Sequence, residues 1–142
     1  MRAHPIIDQL IGLRRAAGIN RSQVAVRAGV NRAVVRRWEI GEHTPQLNNL
    51  MSWASALGCV VAVQPYQSAP RLGVEPVVAL AELRRRRGLT QLAFAEQAGF
   101  TQSQVSQWEC GRVSPSLHAL SVWVAALDCD LVLAPALLAV AA

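Results

Sequence analysis

The chain contains no lysine, one tyrosine, two phenylalanines and only nine acidic residues. It also lacks any apolar run near the roughly 18 residues that a membrane-spanning helix requires. Met1-Arg2-Ala3-His4-Pro5 leads into an amphipathic pattern and not into the apolar core of a signal segment, so a soluble, cytoplasmic protein is expected. The absence of lysine leaves guanidinium as the only strongly basic group, a composition that fits a GC-rich genome as well as a preference for arginine contacts. Cys59, Cys110 and Cys129 form no CxxC pair and no Cys/His metal spacing, and their odd number argues against a secreted disulfide framework. They read as small buried hydrophobes, and no metal is expected. His4, His43 and His118 are scattered among no carboxylate or thiol constellation, so neither an enzyme nor a cofactor is expected.

What the chain does have is a repeat. In Thr101-Gln102-Ser103-Gln104-Val105-Ser106-Gln107-Trp108-Glu109, helical spacing puts Val105 and Trp108 on one apolar side and Gln102, Ser103, Ser106 and Gln107 on the other. Gln91 to Ala98 reads as another short helix, and Gly99-Phe100 separates the two, which makes a helix-turn-helix. Alone, such a pair is as readily an ordinary helical hairpin. Subtracting seventy from each number, however, gives Asn31-Arg32-Ala33-Val34-Val35-Arg36-Arg37-Trp38-Glu39 after Gly29-Val30, with no gap. At 142 residues and 52% hydrophobic, the chain divides into two modules of about 60 to 70 residues, small but able to bury a core.

Each module reads as mainly helical, with four to five helices closed by one short strand. Pro5 and Pro76 open the first helices, Gly18 and Gly88 end them, and Leu47, Leu50, Trp53 and Leu57 mark a fourth helix with one buried side. The run from Cys59 to Gln64 is β-branched and stops at Pro65; its counterpart from Cys129 stops at Pro135. An isolated strand leaves its backbone groups unpaired, and the most economical partner is the other repeat. The expected organisation is a first unit over 1–66, a Pro-punctuated linker over 67–75 and a second unit over 76–142 that ends in an apolar tail from Ala136 to Ala142. Fully extended, the stretch from Pro65 to Glu75 reaches about 35 Å. Cys59 and Cys129 are repeat equivalents, which leaves their mutual approach open.

The net charge is +5 and the isoelectric point near 10.4, which suits a polyanionic partner. All of the excess lies in residues 1–66, where eight Arg face Asp8, Glu39 and Glu42; residues 67–142 carry six Arg and six acids. The run Arg84-Arg85-Arg86-Arg87 reads first as a complement to a helix C-terminus and second as a phosphate patch.

The pattern Leu83-Arg84…Gly88-Leu89-Thr90-Gln91…Phe94-Ala95…Ala98-Gly99…Gln102…Val105-Ser106…Glu109-Cys110-Gly111…Pro115-Ser116…Leu120…Ala126-Leu127 resembles the lambda-repressor and Cro class of helix-turn-helix proteins, the XRE-like family. The first repeat carries the same pattern at Leu13-Arg14, Gly18-Ile19, Ala25, Ala28-Gly29-Val30, Val35, Trp38-Glu39-Ile40-Gly41, Pro45, Leu50 and Ala56-Leu57-Gly58. The resemblance implies structural ion pairs between Arg14 and Glu39 and between Arg84 and Glu109. It implies a phosphate grip by Gln91 and, where the first repeat departs with Asn20-Arg21, by Arg21. It implies a DNA-facing surface made of Thr101, Gln102, Ser103, Ser106 and Gln107 in one repeat and of Asn31, Arg32, Ala33, Arg36 and Arg37 in the other. Base chemistry agrees, since Gln suits adenine and Arg suits guanine or phosphate.

The expected function is therefore a sequence-specific, double-stranded-DNA-binding regulator of a bacterium or phage, a repressor or an antitoxin-type autoregulator. It would form an internal pseudo-dimer, with a homodimer and a toxin or other protein partner left open. With no third domain to sense a ligand, control is expected from abundance, partner binding or proteolysis. The rival reading is an interaction module of the same fold that binds DNA weakly or not at all, which the neutral second repeat favours.

Overall fold

The computed structural model describes residues 4–141; residues 1–3 of the leader reading and Ala142 of the tail lie outside the described residues. Helix α1 (Pro5–Ala16) is followed by α2 (Arg21–Ala28), α3 (Arg32–Ile40), α4 (Leu47–Ala56) and strand β1 (Cys59–Pro65). The second half repeats the order as α5 (Pro76–Arg86), α6 (Gln91–Ala98), α7 (Gln102–Glu109), α8 (Leu117–Ala126) and β2 (Cys129–Pro135), and ends in α9 (Ala136–Ala141). Local chemistry sets these boundaries. Proline starts α1 and α5 where the missing N–H has no helical partner to lose. Asn20 and Gln23 at α2, and Thr101 and Gln104 at α7, each form a reciprocal capping box. Gly29 and Gly99, at φ 71° and 80°, end α2 and α6 in the left-handed region, so the chain turns at once into α3 and α7.

The two halves bury the same positions. Leu10, Val24, Val35, Leu50 and Trp53 are fully buried, and so are their equivalents Leu80, Phe94, Val105, Leu120 and Trp123. Trp38 stacks on Trp53 with ring centroids 5.4 Å apart, and Trp108 meets Trp123 at 5.7 Å, which seats α3 and α7 on the core through one indole each. Where the first half has Val24 and Val30, the second has Phe94 and Phe100. These pack on Trp123 at 6.1 Å and on Trp108 at 4.8 Å, giving the second half the larger aromatic cluster.

Strands β1 and β2 pair antiparallel within the chain, Cys59 opposite Pro135 through to Pro65 opposite Cys129. In this register Ala62 faces Val132, its own repeat equivalent. Gln46 bridges to Ser116, again an equivalent pair, with Leu47 N–H donating to the Pro115 carbonyl at 2.8 Å and Leu117 N–H to that of Pro45 at 2.9 Å. Both self-equivalent pairs lie on an approximate twofold axis that relates the halves. β1 packs against α5 and β2 against α1, so each strand covers the other half's first helix and the buried side chains form one continuous core.

The tertiary arrangement decides several points that the sequence leaves open. Cys59 and Cys129 sit at opposite ends of the ladder, about 20 Å apart by strand rise, and both are free thiols that burial pushes above the ordinary range. The linker does not run extended: Gln67 turns it at φ 55°, and Arg71 N–H donates to the Val63 carbonyl at 2.8 Å, folding it along β1. The apolar tail forms α9, whose Ala136 N–H reaches the Gly58 carbonyl at 2.9 Å. The helical spacing of Ile6, Ile7, Leu10 and Leu13 predicts one buried stripe on α1, yet Leu13 is partly exposed while the other three are buried. No helix among the described residues is long and apolar enough to cross a membrane.

Candidate nucleic-acid interface

On α3, Val35, Trp38 and Glu39 are buried, leaving Arg32, Ala33, Arg36 and Arg37 exposed on the opposite side with Asn31 at the start. On α7, Val105 and Trp108 are buried, and Gln102, Ser103, Ser106 and Gln107 are exposed with Thr101 at the start. Two side chains on these faces already serve as caps. Asn31 Oδ1 accepts from Ala33 N–H at 2.7 Å and Thr101 Oγ1 from Gln104 N–H at 3.1 Å, so what they offer outward is the Asn31 amide N–H pair and the Thr101 hydroxyl proton.

Beneath each face lies a buried ion pair. Arg14 donates from Nε to Glu39 Oε2 at 2.7 Å and from Nη2 to Oε1 at 3.0 Å, while its Nη1 holds the Ile19 carbonyl. Arg84 makes the same fork to Glu109, both bonds at 2.7 Å, with Nη1 on the Leu89 carbonyl. Each arginine therefore ties three elements together: its own helix, the loop before the next helix, and the end of the exposed helix. Burial by itself would raise both glutamates. The hydrogen bonds and charges of Arg14 and Arg21 at Glu39, and at Glu109 the hydrogen bonds of Arg84 and Gln91 with the charges of Arg84 and Arg85, outweigh it and hold the carboxyls below the usual range.

A folded-state pKa below the unfolded value, about 4.3 for Glu, stabilises above that pH and loses its contribution as pH falls through the lower folded value. Stability measured by urea unfolding should accordingly fall steeply below about pH 4.3, and the double change Glu39→Gln and Glu109→Gln should flatten that fall while lowering stability at pH 7. An equally steep acid limb in the double variant would place the acid sensitivity elsewhere.

The two residues read as phosphate grips are engaged inward. Arg21 Nε donates to Glu39 Oε1 at 2.9 Å and Gln91 Nε2 to Glu109 Oε1 at 3.0 Å. Arg21 is still partly open, and with Asn20, Ser22 and Arg32 it lines a groove of about 470 Å3 between the starts of α2 and α3. Ser22 was not singled out from the sequence and Asn20 was read only as a departure from the repeat, although the Asn20-to-Gln23 capping spacing was there to find. The four-arginine run is largely committed: Arg84 is in the buried pair, Arg86 lies 2.7 Å from Glu82, and Arg87 lies 2.8 Å from Asp128. The free positive charge is thus concentrated around α2 and α3, while the face of α7 is neutral and rich in amides and hydroxyls.

A family model described as helix-turn-helix matches the chain twice, over residues 11–60 and 80–133. No curated protein and no solved structure matches it.

Proposed function

The chain belongs to the helix-turn-helix family, matched once in each half, and from that premise we propose that it is a cytoplasmic transcriptional repressor that reads one operator with two unlike recognition helices, α3 and α7. The observation that carries the reading is the pair of exposed polar faces, related by the twofold axis of the strand ladder and each seated on a buried indole and a buried Arg–Glu fork. Arg32, Arg36 and Arg37 have the forked donors that recognise guanine or phosphate, and Gln102 and Gln107 the paired donor and acceptor that recognise adenine. Arg21 and Gln91, held in place by the glutamates, grip phosphates with the N–H groups those bonds leave free. The recognition units are 1–66 and 76–142, joined by residues 67–75.

Selection of binding sites from random duplex DNA should return an imperfect inverted repeat, and the free-energy cost of variants should separate its halves. Gln102→Ala or Gln107→Ala should cost about 1–3 kcal/mol and relax one half only, while Arg37→Ala relaxes the other. If all three variants weakened every sequence equally, they would be backbone contacts and the assignment would fail. A second reading, that of an antitoxin-type interaction module, is favoured by the neutral α7 side, where Arg86 and Arg87 are spent on Glu82 and Asp128. A selection that enriched no sequence at low salt would favour it.

A further inference from the structure

The three histidines, 39 and 75 residues apart in sequence, line one cleft of about 390 Å3 at the junction of the halves. His4 comes from the start of α1, His43 from the loop after α3, and His118 from the first turn of α8. Trp38, Leu117 and Ser121 complete the part of the wall that matters here. The twofold axis generates a second cleft, larger at about 710 Å3, among α5, the end of α7 and α4. There the positions equivalent to His43 and His118 are Val113 and Asn48, and Val74, equivalent to His4, lies outside the lining. The repeat has thus gathered every imidazole of the chain on one side of its axis.

We propose that this cleft binds a small organic anion, a carboxylate carried on an apolar body, and that its occupancy adjusts the position of α3. The lining is rich in donors and holds one carboxylate, while Asp130, outside it, is near enough to His4 to act on its charge. His4 Nδ1 accepts from Ile6 N–H at 3.1 Å, which leaves the neutral ring's proton on Nε2 as a donor. His43 and His118 are exposed imidazoles, and the α8 first turn adds its dipole at His118. The one acid in the wall, Glu39, has both oxygens taken by Arg14 and Arg21. Among the described residues no three His, Cys, Asp or Glu stand close enough to share a metal ion, so the imidazoles are spread along the wall, as a ligand of several atoms requires. Trp38 and Leu117 supply the apolar floor, and the volume lies within the range of about 300–1,000 Å3 typical of small-molecule sites. A ligand seated there touches α1 and the end of α3 from one half and α8 from the other, so the effect on operator binding, which rests on the function proposed above, follows from reciprocal coupling.

The test titrates the free full-length chain with benzoate, acetate and Zn2+ while recording the imidazole proton resonances, assigned with single His→Asn variants. Benzoate should shift all three histidines saturably and acetate more weakly. The double variant His43→Asn and His118→Asn should bind benzoate about tenfold more weakly or worse, while Val113→Ala in the other cleft leaves it unchanged. Non-saturable shifts, equal binding by the double variant, or saturation by Zn2+ with benzoate silent would overturn the proposal. Because no DNA is present, these outcomes are independent of whether the chain binds an operator; a change of operator affinity with benzoate is then read separately.

Discussion

Inserting five base pairs between the halves of the selected operator should weaken binding by about 10²–10⁴-fold, because half a helical turn carries one half-site to the far side of the duplex. In the antiparallel ladder Ala62 faces Val132, so α3 and α7 are related by a twofold axis within a single chain. On the function proposed above, helices so related would enter successive major grooves about 34 Å apart, which corresponds to half-sites about 10 base pairs apart centre to centre. Once one helix has bound, the other sees its half-site at a high effective concentration, and displacement of the half-site removes that advantage. Ala62→Pro, which removes a buried backbone donor from the ladder pair on the axis, should produce a loss of the same kind on the unaltered operator. Binding should also fall steeply between roughly 50 and 200 mM salt as arginine contacts release counterions. Gel shift with the spacing series, together with the mass of the complex, checks the geometry. Two chains on one minimal inverted repeat, or indifference to the insertion, would show that the two helices of one chain do not read one operator.

The largest stability effect is expected at Arg84. Replacing it by Met leaves Glu109 buried with Gln91 as its remaining side-chain donor, a loss of about 3–5 kcal/mol by the usual cost of stranding a buried charge. Arg14→Met should cost less, about 1.5–3 kcal/mol for hydrogen bonds to a charged group, because Arg21 still neutralises Glu39 at 2.9 Å. Urea unfolding checks the order: both midpoints fall with the slope unchanged, and that of Arg84→Met falls further. Equal midpoints would mean that Arg21 does not share the Glu39 charge. Restoring charge balance with the double change Arg84→Met and Glu109→Gln should recover part of the loss, which separates a stranded carboxylate from lost packing of the arginine stem.

The sequence by itself determined the elements. Helical spacing of apolar residues, proline and glycine punctuation, and β-branched runs are local properties, and each was duplicated at an offset of seventy, so that Leu10 to Trp53 and Leu80 to Trp123 occupy the same buried places. It also marked the exposed faces of α3 and α7, because a face is fixed once the apolar side is known. Only the tertiary structure decided what depends on how the elements meet. Strand register is a property of two segments jointly: it brought Ala62 to Val132 and sent Cys59 and Cys129 to opposite ends of the ladder. The inward bonds of Arg21 and Gln91 depend on where Glu39 and Glu109 stand, 18 residues away in each half. The gathering of His4, His43 and His118 has no sequence signal at all, because residues from α1, a loop and the opposite half's α8 become neighbours only when the two halves dock about their axis.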